Sequence, residues 1–231
     1  MSGPTPVARG AAVEAVIFDY GGVISVRLLD DLDRFEDAMG YPSGAVHELM
    51  FGPTTRGDGA PVPDFHRLET GELSLAEYVQ GLARRAPEVL GRPLDVDAYR
   101  AFTASSAVAV YWPVVHRVQA LRDDGLRLAL LTNNVREFGA AWRATFPVDD
   151  LFPLVVDSSA VGMRKPDRAI FEHTCALLEV DPGATVFVDD NAENVAAAAA
   201  LGLEPVLFGT DPLASLAALD AVLERRGVRP R

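Results

Sequence analysis

A three-layer α/β core on a parallel sheet, interrupted by an all-helical segment, is the fold this chain predicts. Three observations carry that expectation. Five short apolar runs recur: Glu14–Phe18, Arg127–Leu131, Leu154–Val156, Thr185–Val188 and Pro205–Leu207. Stretches of helical length separate the later ones. Between the first run and the second, residues 27–108 show helical patterns and no strand-like run. Short apolar runs bounded by turn signals read as buried strands, and strands alternating with helices build parallel βαβ units.

The elements follow in order. Val114–Asp123 repeats apolar residues at helical spacing and stops at Gly125, a helix stop before a strand. Arg136–Thr145 lies between the second and third strands as a further helix. Arg168–Leu178 ends before the turn signal Asp181-Pro182-Gly183, and the Ala-rich helix Ala192–Leu201 ends at Gly202. The inserted segment predicts helices over Leu28–Met39, Ser43–Met50, Ser74–Ala86 and Val96–Ala104. Ser74 is placed as an N-cap, with Glu77 in the first turn. The Gly- and Pro-rich stretch from Gly52 to Pro61 reads as a surface loop. The expected organisation is a flexible tail over 1–12, a core from 13–26 and 109–231, and a helical insertion over 27–108.

Composition narrows the function. The chain has 231 residues, 49% hydrophobic and 23% charged, as in a soluble globular protein. A net charge of -12 argues against nucleic acid and against an anionic membrane surface as partners. A phosphorylated small molecule still binds where a few cations are focused at one site. Cys175 is the one cysteine, so no intrachain disulfide forms and a cytoplasmic setting is expected. No apolar stretch approaches the length of about 18 residues that a membrane span needs. Residues 1–12 lack the apolar core of a signal peptide. The four histidines show no metal-ligand spacing, and no serine-nucleophile elbow occurs.

Polar clusters follow three of the apolar runs. Asp19 ends the first and precedes Tyr20-Gly21-Gly22; Thr132-Asn133-Asn134 follows the second; Asp189-Asp190-Asn191 follows the fourth, with Glu193 and Asn194 close behind. Gly162-Met163-Arg164-Lys165-Pro166-Asp167 precedes a helix. Taken alone, these are also an ordinary turn, an N-cap or a solvated lysine. Their order and placement set them apart, because the C-terminal ends of parallel strands share one edge. Asp19, Thr132, Asp189 and Asp190 should converge there, with Lys165 reaching in. Carboxylates without His or Cys make a hard oxygen site suited to Mg²⁺. A hydroxyl, an amide and an ammonium group beside it can clamp a phosphoryl group, and a carboxylate in line with phosphorus can attack it.

These residues resemble the haloacid dehalogenase-like hydrolase superfamily, whose four motifs match in order. They are Asp19 in FDYGGVI, Thr132 in LALLTNN, Lys165 in GMRKPD and Asp189-Asp190 in VFVDDNAEN. Within it the chain is similar to sugar-phosphate phosphatases of the α-glucose-1-phosphate type and to the phosphatase-like domain of soluble epoxide hydrolases. The resemblance implies a Rossmann-like core, a small helical cap formed by the insertion, and Mg²⁺ as cofactor. It implies Asp19 as nucleophile, Thr132 and Asn133 as phosphate holders, and Lys165 neutralising developing charge. Asp19, Asp190, Asp189 and the Gly21 carbonyl would be the metal ligands. The expected activity is hydrolysis of a small phosphate ester, a sugar phosphate foremost, by a monomer or homodimer.

One departure matters. Most phosphatases of the family carry an acid two residues after the nucleophile, and Gly21 stands there. A positioned general acid is typically worth about 10²–10⁴-fold. Turnover is then slow or limited to easy leaving groups, or an acid comes from the cap, where Asp64, His66 and Glu69 are candidates. Alternatively the chain binds a phosphorylated ligand without turning it over. The relatives of the sugar-phosphatase type also have glycine there. A 2-haloacid dehalogenase, which needs no metal, is a further alternative. Arg56, Phe65, His66 and Glu69 are the expected specificity residues of the cap.

Overall fold

The computed structural model describes residues 12–27, 31–52, 62–105 and 109–228. The N-terminal tail, the start of the helix expected from Leu28, and Arg56 with most of its loop lie outside the described residues. Strand β1 is Ala15–Phe18. Helices α1 Leu32–Met39, α2 Ala45–Phe51, α3 Asp64–Glu69, α4 Leu75–Val89 and α5 Val96–Ser105 follow before the chain returns to the sheet. It continues through α6 Trp112–Asp123, β2 Arg127–Thr132, α7 Gly139–Arg143, α8 Val148–Leu151, β3 Leu154–Asp157, α9 Ser158–Val161 and α10 Arg168–Leu178. It ends with β4 Thr185–Asp189, α11 Ala192–Leu201, β5 Glu204–Leu207 and α12 Pro212–Arg225.

The five strands pair in the order β3-β2-β1-β4-β5, all parallel. Side chains of β1 alternate between the two faces. Val16 and Phe18 join a cluster with Val114, Val118, Leu219 and Leu223 of α6 and α12. Ala15 and Ile17 join Ile170, Phe171, Cys175 and Ala198 of α10 and α11 on the other face. Helices thus cover both sides, as parallel sheets require. Strands run outward from β1 in both directions, so the order reverses between β1 and β4. Open α/β sheets bind their ligands at that switch point, outside the strands' carboxyl ends.

The helical cap has an apolar cluster of its own, with Phe35, Leu49, Met50, Tyr78 and Leu82 at its centre. Val135 and Phe138, from the loop after β2, pack into this cluster and anchor the cap to the core. Gly71, at φ +72°, closes the turn after α3 where an added Cβ would come within 2.8 Å of the Ser159 carbonyl. Ser74 caps α4 in a reciprocal capping box with Glu77, satisfying two otherwise unpaired N–H groups.

Several elements differ from the expectation. Helix α2 begins after Gly44, whose φ of +77° is left-handed, and not at Ser43. Helix α4 runs past Pro87 to Val89, since a proline near the end forfeits only its own N–H bond. The helix expected over Arg136–Thr145 is split into a 3-10 turn, Arg136–Phe138, and α7. The split lets Phe138 face the cap while Trp142 packs on the sheet. Strands β2, β3 and β4 each extend one residue further, so Thr132, Asp157 and Asp189 belong to them.

Candidate active site

Asp19 follows the last residue of β1, and its N–H donates to the Val188 carbonyl at 2.9 Å, which fixes it beside β4. Lys165 lies in the loop before α10 and extends under the strand ends, with only 1% of its side chain exposed. Its Nζ reaches Asp19 Oδ1 at 2.7 Å and Asp189 Oδ2 at 2.7 Å, and donates to the Leu131 carbonyl at 3.0 Å. The Phe187 ring lies 5.8 Å from it. All three ammonium protons therefore have acceptors, as a buried cation needs. Burial works against this charge, but Asp189 and Asp19 outweigh it and hold the lysine above its ordinary pKa.

The two adjacent acids at the end of β4, Asp189 as its last residue and Asp190 just beyond it, differ in their surroundings. Asp189 is fully buried and accepts from Lys165, from the Asn191 N–H at 2.8 Å and from Asn194 Nδ2 at 3.0 and 3.2 Å. Asp190 is partly open and is ion-paired with Arg27. One carboxylate oxygen from each of Asp19, Asp189 and Asp190 can be chosen so that all lie within 4.8 Å of one another. Three acids face two cations, Lys165 and Arg27, so with all three acids ionised one negative charge is in excess. Burial, opposed by Lys165 and reinforced by Asp189 and Asp190, pushes Asp19 up to about 8. Asp190 is raised as well, by burial opposed by Arg27. An all-oxygen cluster with surplus negative charge fits a hard divalent cation such as Mg²⁺.

The two glycines after Asp19 differ in the space around them. Gly22 has φ +79°, and a Cβ there would overlap the Asp190 carboxylate, so only glycine fits. Gly21 is different, because a Cβ built on it meets nothing within 4 Å. Thr132 ends β2 with its hydroxyl making one long contact, 3.5 Å to the Asn133 carbonyl. Asn133 spends its side chain on the Lys165 peptide: Nδ2 donates to the Lys165 carbonyl at 2.9 Å, and Oδ1 accepts the Lys165 N–H at 2.9 Å. Its amide positions the lysine loop, where the resemblance implied contact with phosphate.

The cap residues separate in the same way. Glu69, at the end of α3, reaches the core and pairs with Arg164 at 2.9 Å, next to Lys165. Burial raises its pKa, with Arg164 opposing. Ser158 Oγ donates to the Glu69 carbonyl at 2.6 Å and accepts the Asn134 N–H at 3.0 Å. Asp64 instead faces Arg67 and Arg85 within the cap. Phe65 packs between Phe51 and Tyr78 in the cap's own interior. His66 is half-buried on α3. Arg164, Ser158 and Arg27 complete the site without having been singled out in the sequence. Arg164 is the one that adjoins a motif residue, whereas Arg27 and Ser158 carry no spacing signal.

The raised pKa of Asp19 sets a test on metal-free protein. Between its ordinary 3.8 and about 8, the folded state holds a proton on Asp19 that the unfolded chain has released. Stability contributed by this group therefore falls as pH rises through that window. Urea unfolding in chelator, from about pH 5 to about pH 8, should show wild type losing stability relative to Asp19→Asn as pH rises. Parallel pH curves for the two proteins would contradict the assignment.

Comparison with known proteins places this geometry. The chain matches the haloacid dehalogenase-like hydrolase family over residues 13–202. It is 29% identical over 199 residues to mouse (Mus musculus) Acyl-CoA dehydrogenase family member 10, covering 85% of this chain but only 18% of that protein. It is 28% identical to the plasmid phosphoglycolate phosphatase of Cupriavidus necator, covering 94% of this chain and 95% of that one. A solved structure from Porphyromonas gingivalis, described as that of a predicted haloacid dehalogenase-like family hydrolase, superposes with a TM-score of 0.68 at 25% identity, covering 90% of this chain and 98% of that one. With the five-stranded parallel sheet and the ordered motifs, the match over most of its length makes this chain an enzyme of the haloacid dehalogenase-like hydrolase family.

Proposed function

We propose that this protein is a Mg²⁺-dependent phosphatase of small phosphorylated metabolites, acting through an aspartyl-phosphate on Asp19. The observation that carries this reading is the cluster of Asp19, Asp189 and Asp190 around the buried Lys165. A dehalogenase attacking carbon has no use for such a density of negative charge, whereas a metal site does. Metal ligands would be Asp19, Asp190 and the Gly21 carbonyl, with Asp189 adjacent and chiefly holding Lys165. When bound, the cation offsets the charge of the phosphoryl oxygens and of the carboxylates around it.

The chain's own residues supply the rest. Lys165 keeps one oxygen of Asp19 fixed, so the other faces the substrate. An Asp19 oxygen bonds to phosphorus as the ester P–O bond breaks, and the departing alkoxide takes its proton from water; a second water then attacks phosphorus, releasing phosphate and restoring the Asp19 carboxylate. Thr132 Oγ1, buried and only weakly engaged, donates to a phosphoryl oxygen. The Lys165 ammonium balances charge developing in the transition state. The cap, tied to the Lys165 loop through Glu69 and Arg164, covers the site and excludes water.

The substrate reading follows from Gly21. Without an acid at that position, phosphate esters of relatively acidic hydroxyls are favoured. The anomeric hydroxyl of a sugar 1-phosphate is one; phosphoglycolate is a second candidate on similarity alone. Sugar phosphates fit the motif resemblance, and the phosphoglycolate phosphatase of Cupriavidus necator supports the second.

Phosphate release from sugar phosphates, phosphoglycolate, nucleotides and a nitrophenyl ester, with and without Mg²⁺, tests the reading. Metal-dependent release that Asp19→Asn abolishes is expected. Release that persists in the mutant, or needs no metal, sinks the mechanism. Gly21→Asp adds a carboxyl group into open space. It should fold normally and raise turnover of simple alkyl phosphates by at least about tenfold, short of the about 10²–10⁴-fold that a fully positioned general acid contributes. A drop with every substrate would show that the space at Gly21 is itself in use.

A further inference from the structure

Asp190 is the outward-facing acid of the cluster, and its partner is a residue outside all four motifs. Arg27 Nε meets Asp190 Oδ2 in an ion pair, and Arg27 Nη2 donates to the Asp190 carbonyl at 3.3 Å. Both partners pack on one glycine. A Cβ at Gly22 would overlap the Asp190 carboxylate and lie 3.0 Å from Arg27 Cγ. The guanidinium therefore occupies the immediate surroundings of a carboxylate assigned to the metal.

Arg27 also has a defined place in the chain. It directly follows the segment that leaves β1 for the cap. There Val26 N–H donates to the Ala109 carbonyl at 3.0 Å, and Ser25 bridges Val110 in antiparallel fashion. The outgoing and returning connections of the cap are thus joined beside the site, and Arg27 is tied to Asp190 where they meet. Its side chain is 33% exposed, against 1% for Lys165, so it can swing into solvent while Lys165 cannot.

We propose that Arg27 is a resident counter-ion, which holds Asp190 in metal-free protein and competes with the divalent cation for that carboxylate. This rests on the metal-dependent reading above. The charge arithmetic favours exchange. One guanidinium offers a single positive charge to a cluster of three acids whose other cation, Lys165, is already shared between Asp19 and Asp189. A dication satisfies several oxygens at once. Arg27 touches no reacting atom, so it is a positioning residue that sets metal affinity. Its release on metal binding would also loosen the cap connection at its first residues.

Calorimetric titration of Mg²⁺ into metal-stripped protein tests this without any substrate. Arg27→Gln should bind Mg²⁺ roughly two- to fivefold more tightly than wild type, the scale of a partly screened ion pair. Arg27→Lys, which keeps the charge, should stay near wild type, and Asp190→Asn should lose binding. A merely structural role predicts the opposite sign, because a loosened site binds metal more weakly. Wild-type binding with an unchanged or weaker Arg27→Gln therefore overturns the role of Arg27 and leaves the metal site standing. No binding by wild type or by Arg27→Gln overturns both. Hydrogen exchange on the wild type gives a reading independent of any variant. Mg²⁺ should speed exchange in the peptide containing Arg27 while slowing it around Asp190, and an unchanged Arg27 peptide would count against the competition.

Discussion

Lys165 holds two carboxylates and a strand-end carbonyl in a space closed to water, and the site is organised around that contact. Two acids from neighbouring strands could not share this edge without a cation between them, since buried like charges repel strongly. The ammonium bridges Asp19 on β1 and Asp189 on β4. Removing one partner of a buried ion pair typically costs about 3–5 kcal/mol, because the charge left behind has no solvent. Much of the local architecture serves to keep this lysine in place. Asn133 clamps its peptide from both sides, Asn194 and the Asn191 N–H orient its partner Asp189, and Phe187 lies near the ammonium.

The same contact links chemistry to the cap. Arg164 precedes Lys165 and reaches Glu69, the last residue of α3. Ser158 joins the Glu69 carbonyl to the loop after β2. A shift of these helices therefore bears on the loop that carries Lys165. Arg27 likewise ties the first cap connection to Asp190. Two arginines, Arg164 through Glu69 and Arg27 through Asp190, thus connect the inserted segment to the surroundings of the acid cluster. Glu69 was a candidate acid from the cap, but its carboxylate is engaged with Arg164, which favours a docking role over proton donation.

The sheet and the motif residues were legible in the sequence because each rests on local pattern. Short apolar runs mark strands that are buried on both faces. Parallel pairing then brings Asp19, Thr132 and Asp189 to one edge whatever the strand order. Helix α12 escaped although Asp211-Pro212 marks its start, with the Asp211 side chain capping the Leu213 and Ala214 N–H groups. Helix α3 is only six residues long and lacks a side-chain cap, so nothing local announces it. The break at Phe138 comes from tertiary packing, where one residue turns to the cap and Trp142 to the core. Arg27, Ser158 and the Glu69–Arg164 pair were not legible for the same reason. Their partners are distant in sequence, and long-range pairing leaves no periodicity. Asn133 was legible as a site residue, but the clamp its side chain forms on the Lys165 peptide was not, because which group an amide bonds depends on the loop it meets.

Rapid quenching of the enzyme in acid during turnover of its best substrate, followed by peptide mass spectrometry, addresses the covalent step directly. A phosphoryl group on the peptide containing Asp19, formed in the presence of Mg²⁺ and absent from Asp19→Asn, is the predicted result. Product formed in the first turnover without any adduct on that peptide, or with the adduct on another residue, would contradict Asp19 as the nucleophile.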